Sequence, residues 1–198
     1  MSAGSNPYLQ PAKRWHAIVF VLIAICGGAG ALILQRGRIG PSTPDAAWIP
    51  AHPSNRWQCI VIHHSGSDEG GAERFDEWHK ERGWEGLGYH FVIGNGTDTD
   101  DGEVEVGFRW QDQEHGAHCK TDDGYYNQHG IGICLVGNFD LTEPTPAQMR
   151  SLVRLCRFLC TRFHIPPSHI LTHGGITGKT DCPGKNFDVD ALRAQVRG

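Results

Sequence analysis

The sequence has no basic excess: 18 Lys and Arg stand against 22 Asp and Glu, the formal net charge is −4, and the positive residues are scattered along the chain. A nucleic-acid partner needs a concentrated positive stripe to meet phosphates, so none is expected. Cysteine is sparse, with seven residues at irregular spacing, which excludes a dense disulfide framework. Apart from one stretch near the N-terminus, long apolar runs are missing. With 198 residues, 39% of them hydrophobic, there is room for one ordinary domain and some extra sequence but not for two cores. What the chain does have is histidine, twelve in all, and this directs attention to metal chemistry.

The exceptional apolar stretch is residues 17–34, AIVFVLIAICGGAGALIL, preceded by Lys13 and Arg14 and followed by Arg36 and Arg38. It is just long enough to span a bilayer. A cleavable signal is the rival reading, because Ala29-Gly30-Ala31 has the small-x-small form of a cleavage site. The expected organisation is a cytoplasmic segment at 1–16, a transmembrane anchor or signal at 17–34, an extended linker at 35–56 containing Pro41, Pro44, Pro50 and Pro53, and a domain at 57–198 that starts near Trp57.

Within the domain, Trp57 to Ile62 is an apolar, β-branched run that predicts a buried strand ending at His63 and His64. Residues 71–82 predict a helix stopped by Gly83, and Gly88 to Ile93 a second strand. The acidic stretch Asn95 to Gly102 predicts a hairpin loop leading into a strand from Glu103 to Phe108. Its Asp98, Asp100 and Asp101 do not make a calcium loop, since Gly102 falls one place early and the closing Glu is missing. Ile131 to Val136 reads as another buried strand. Thr145-Pro146-Ala147-Gln148 opens the clearest helix, with Thr as N-cap, Pro at the first position and Gln three residues after the cap. Met149, Leu152, Val153, Cys156, Leu159, Cys160 and Phe163 then recur on one face. A short strand Ile170 to Thr172 ends at His173, and residues 187–197 predict a terminal helix. The expectation is an α/β single domain with a central mixed sheet flanked by helices.

His63 and His173 each follow a β-branched strand, and Cys182 lies nine residues beyond His173, after Gly174, Gly175 and Gly178. Two imidazoles and a thiolate leave one open position on a zinc ion, where water is activated. By spacing alone, the triplet fits unrelated histidines and a buried thiol equally well.

Several ordered runs resemble the zinc-dependent N-acetylmuramoyl-L-alanine amidases: Ile60-Val61-Ile62-His63-His64-Ser65; Trp78-His79-Lys80-Glu81-Arg82-Gly83-Trp84 with Gly88-Tyr89-His90-Phe91; Gly116-Ala117-His118 with Asn127; Ile131 to Phe139; Pro146-Ala147-Gln148; and His173 to Cys182-Pro183-Gly184. The resemblance spans residues 57–190. It implies one zinc ion on His63, His173 and Cys182, with His64 a neighbour, and a catalytic Tyr89 beside the metal. The position two before the zinc cysteine, Lys in some relatives and Thr in others, is Thr180 here, which leaves the general base open between it and the adjacent Lys179. Trp84, His90, His118 and Asn127 match positions that line or support the substrate groove. Gly130 stands where relatives often carry Ser.

The resemblance implies peptidoglycan as substrate, cut between N-acetylmuramic acid and L-alanine, by a monomer. Since that polymer lies outside the cytoplasmic membrane, the domain is expected in the periplasm or cell wall, tethered to the membrane by its N-terminal segment or secreted after cleavage. A noncatalytic peptidoglycan receptor and a zinc peptidase of the stem peptide are the competing functions.

Overall fold

The computed structural model describes residues 45–54 and 56–198; the apolar stretch at 17–34 lies outside them. Among the described residues no helix is long and apolar enough to cross a membrane.

In chain order the elements are β1 (Cys59–His64), α1 (Ala72–Glu81), β2 (Phe91–Ile93), β3 (Val104–Val106), α2 (Phe108–Gln111), α3 (Tyr125–His129), β4 (Gly130–Leu135), α4 (Pro146–Phe163), β5 (Ile170–Thr172), α5 (His173–Thr177) and α6 (Val189–Arg197). The strands form one mixed sheet in the order β3-β2-β4-β1-β5. β1 runs parallel to β4 and β5, β2 runs parallel to β4, and only β3 is antiparallel, as the hairpin partner of β2. The α/β fold with a central mixed sheet is therefore as expected.

Both central strands are covered on both faces, which is why their sequences read as unbroken apolar runs rather than alternating ones. Ile60, Ile62, Ile131, Ile133 and Leu135 pack in one cluster with Leu152, Leu155 and Leu159 of α4 and Leu192 of α6. The other face carries Val61 and Cys59 beside Cys119, and Val92 and Cys134 beside Phe75 of α1 and Leu87.

The helix start at Thr145 has the expected capping box. The Thr145 hydroxyl accepts the Gln148 backbone N–H at 3.0 Å and the Gln148 side-chain oxygen Oε1 accepts the Thr145 N–H at 3.0 Å. The Gln148 amide also donates to the Ile93 and Val136 carbonyls at 3.2 and 2.8 Å. One side chain thus closes the helix end and ties it to the ends of β2 and β4.

Three expectations need correction. The strand predicted over Gly88 to Ile93 is only Phe91–Ile93, because the Gly88 N–H donates to His79 Nδ1 at 3.0 Å rather than to a strand. The strand predicted over Glu103 to Phe108 is only Val104–Val106: the Gly107 N–H still donates across to the His90 carbonyl at 2.9 Å, but the Gly107 carbonyl accepts the Trp110 N–H at 3.0 Å and Phe108 starts α2. The packed chain also begins before Trp57. Trp48, in the stretch read as linker, is fully buried against Phe158 at 5.9 Å; its carbonyl accepts the Trp110 indole N–H at 3.0 Å, and the Arg154 guanidinium lies 4.9 Å above its ring. Proline-rich composition marks an extended backbone, but it does not stop a large aromatic from finding a core.

Candidate metal centre

Strand alternation selects between the paired histidines. Ile60 and Ile62 face the α4 layer, so His63, like Val61, faces the opposite side, while His64 turns back and accepts the Phe139 N–H on Nδ1 at 3.1 Å. His63 is 1% exposed. His173 arrives as the first residue of α5, whose start is capped by the Thr172 hydroxyl accepting the Gly175 N–H at 3.1 Å. Its ring centroid lies 4.8 Å from that of His63.

Cys182 is brought alongside by a backbone clamp in which the Gly174 N–H donates to the Cys182 carbonyl at 2.7 Å. A β-carbon at Gly174 would stand 2.3 Å from the Thr180 carbonyl oxygen, so only glycine lets the two segments approach this closely. The Thr180 hydroxyl in turn accepts the Cys182 N–H at 3.1 Å. The Cys182 thiol ends 3.8 Å from His63 Nδ1. Ligand atoms of His63, His173 and Cys182 all lie within 4.8 Å of one another, and among the described residues this is the one such group close enough to hold a metal ion.

The chemistry of the donors fits zinc. Burial, reinforced by neighbouring His118 and His173, holds His63 well below the ordinary histidine range, and burial followed by the nearby His64 lowers His173. Both rings are therefore neutral near pH 7 and offer lone pairs. Burial pushes the Cys182 thiol up to about 11, so a thiolate here requires a cation to offset its desolvation. The acidic loop offers no rival site: Asp98 pairs with Arg74 at 2.6 Å and Asp101 accepts the Thr145 hydroxyl at 2.5 Å.

Tyr89 stands with its ring 5.2 Å from that of His63. Burial, with the Cys134 and Cys182 thiols nearby, pushes its phenol well above the ordinary range, which keeps the hydroxyl protonated as a donor. Lys179 and Thr180 are exposed and border an open hollow of about 640 Å³ that reaches Cys182.

The four groove positions separate in the structure. Trp84 is 44% exposed, its ring 4.6 Å from His79, a buried histidine whose Nδ1 accepts the Gly88 N–H at 3.0 Å. His90 is fully buried and supports backbone: Nδ1 accepts the Gly132 N–H at 2.9 Å and Nε2 meets the Glu114 carbonyl at 3.2 Å. Asn127 does the same for the next loop, its side-chain oxygen accepting the His118 and Cys119 N–H groups at 2.9 and 2.8 Å. His118 is 8% exposed; its Nδ1 lies 3.0 Å from His63 Nε2 and its Nε2 lies 3.2 Å from the Gly130 carbonyl.

Two glycines of β4 make room for these contacts; the sequence singles out Gly130 but gives Gly132 no separate mark. At Gly130 an added β-carbon would meet the Tyr126 carbonyl oxygen at 2.5 Å. At Gly132 it would meet the His118 ring at 2.4 Å. Arg109 was also unremarked; buried, it donates from Nε to the Leu87 carbonyl and from Nη1 to the His115 carbonyl, both at 2.7 Å, and so fixes the loop that carries Trp84 and Tyr89. Alternate glycines in the Gly130-Ile131-Gly132 run were the one available signal for the first pair; nothing local marked Arg109.

A family profile described as N-acetylmuramoyl-L-alanine amidase matches residues 53–185. The endolysin of Enterobacteria phage T3 is 34% identical over 151 residues, covering 72% of this chain and 89% of the relative. The endolysin of Klebsiella phage KP32 is 41% identical over 125 residues, covering 60% of this chain and 72% of the relative. Among solved structures, the N-acetylmuramoyl-L-alanine amidase LysC from Clostridium intestinale URNW superposes with a TM-score of 0.62 at 32% identity, covering 76% of this chain and 93% of LysC. This chain belongs to the N-acetylmuramoyl-L-alanine amidase family and is an amidase of peptidoglycan.

Proposed function

We propose that hydrolysis of the amide between N-acetylmuramic acid and L-alanine depends on one zinc ion held by His63, His173 and Cys182. The observation that carries this reading is the convergence of two neutral imidazoles and one thiol within 4.8 Å at the end of β1. Bound there, zinc supplies a Lewis acid for the amide carbonyl and lowers the pKa of water toward about 7.

The chain's own residues do the rest. Tyr89 keeps its phenolic hydrogen and donates it in a hydrogen bond to the carbonyl oxygen as negative charge develops there. Thr180 holds the Cys182 loop through the Cys182 N–H and keeps its own hydroxyl hydrogen free to orient water or substrate. A hydroxyl is a poor base, so the proton needed by the departing L-alanine amine comes by way of water or the adjacent Lys179. The exposed face of Trp84 gives a sugar or peptide an apolar surface beside the site. The apolar stretch at 17–34, flanked by Lys13 and Arg14, supports placing the catalytic domain, acting as a monomer, on the peptidoglycan side, either anchored by that stretch or released when it is cleaved as a signal.

Mass analysis of digested peptidoglycan tests the bond. Muramic acid with a free lactyl carboxylate together with stems beginning in free L-alanine is the expected result, and new amines elsewhere in the stem would make the enzyme a peptidase. Elemental analysis should find one zinc per chain. Full activity in demonstrably zinc-free protein would overturn the metal reading. Tyr89→Phe should lower kcat on the order of 10²-fold with zinc retained. A reporter fused after Gly198 tests the topology, and reporter activity confined to the cytoplasm would contradict it.

A further inference from the structure

We propose that His118 is a positioning residue that fixes the tautomer of His63, with the Gly130 carbonyl as the fixed point; the inference rests on His63 being a metal ligand. A backbone carbonyl can only accept, so His118 Nε2, 3.2 Å from the Gly130 oxygen, carries the ring hydrogen. A neutral imidazole with its hydrogen on Nε2 has a bare Nδ1. That bare nitrogen lies 3.0 Å from His63 Nε2, and two lone pairs cannot face each other at this distance. His63 must therefore carry its hydrogen on Nε2 and donate it to His118. Its Nδ1 is left bare, and this is the atom 3.8 Å from the Cys182 thiol. One main-chain oxygen thus determines, through two rings, which nitrogen of His63 can bind a metal.

The seat of His118 holds it to that task. β-Carbons placed on Gly116 and Gly132 would stand 2.3 and 2.4 Å from its ring, so the imidazole is clamped between two backbones that carry no side chains. Its own N–H is taken by Asn127 at 2.9 Å. The ring meets that of His63 edge to face, at 5.0 Å and 78°. With both ring nitrogens engaged and 8% exposure, His118 has no atom left for substrate, so it acts on the reaction through His63.

Long-range ¹H–¹⁵N spectra of the metal-free protein read the tautomers directly. The expected result is His63 and His118 both with hydrogen on Nε2, and a His63 found with its hydrogen on Nδ1 would overturn the proposal. His118→Ala should let His63 populate both tautomers and weaken zinc binding by roughly 10- to 100-fold in chelator competition. His118→Gln, whose amide can both donate and accept, should recover part of that loss. Unchanged zinc affinity together with an unchanged His63 spectrum in His118→Ala would also refute it. If His118→Ala does not fold, the wild-type spectrum and the Gln variant still decide. Wild-type protein that fails to bind zinc would sink the metal reading, whereas a wrong His63 tautomer in zinc-binding protein sinks only the role of His118.

Discussion

The two faces of the sheet are built from alternate residues of the same strands, yet they are made for different purposes. β4 shows this most clearly. Ile131, Ile133 and Leu135 enter the cluster with α4 and α6, while Gly130, Gly132 and Cys134 face the histidines and Tyr89. On the first face large apolar side chains are buried, with Gln148 the polar exception at the helix end, and burial of each Leu or Ile there stabilises the fold by about 1.5–3 kcal/mol. On the second face small residues make way for rings: both nitrogens of His118 and of His90 are hydrogen-bonded, while His63 and His173 each keep a nitrogen for the metal site. That arrangement adds little apolar contact and places polar atoms where a metal can meet them. Stability and chemistry should therefore respond to separate mutations.

Cys182→Ala should show the largest effect, loss of both stoichiometric zinc and measurable hydrolysis. Its metal-free thermal unfolding should stay close to that of metal-free wild type; a collapse of the metal-free fold would show that the two faces are not separable. Leu155→Ala, on the opposite face and fully buried, should cost about 2–5 kcal/mol in denaturant unfolding. Below its melting range it should retain zinc and turnover, and a parallel loss of zinc would break the contrast. Gly132→Ala presses a methyl group into the His118 ring, and about 10-fold weaker zinc binding, roughly 1.4 kcal/mol, is expected by chelator competition. Thr145→Ala should do least, removing the α4 cap for about 1 kcal/mol of stability with kcat/KM unchanged.

The face packed on α4 was largely legible in the sequence. Its signals are local: a capping box, a three-and-four spacing of apolar residues and β-branched runs bounded by turns. The triplet His63, His173 and Cys182 was legible only with the ordered motifs around it, because spacing cannot say which distant side chains meet. The supporting contacts of the catalytic face were harder to see. The link from His118 to His63 exists only because β1 and β4 pair in one register, with His63 beside Cys134, and because a loop returns over Gly132. His90 and Asn127 look like polar groove residues until their backbone partners are known. Trp48 was hidden by its proline-rich surroundings.

The alternation of Gly130, Ile131, Gly132 and Ile133 also bears on how the chain finds its native arrangement. Should β4 pair one residue out of step, both isoleucines would turn into the histidine layer and the glycines would leave holes beneath α4. Each misplaced Ile forfeits the stabilisation of its proper contacts, and the misfit on the other side is steric, since Ile side chains would fall where even a methyl group collides with His118. A shifted strand is thus rejected on both sides at once during folding, before any ligand is present to reward the correct one.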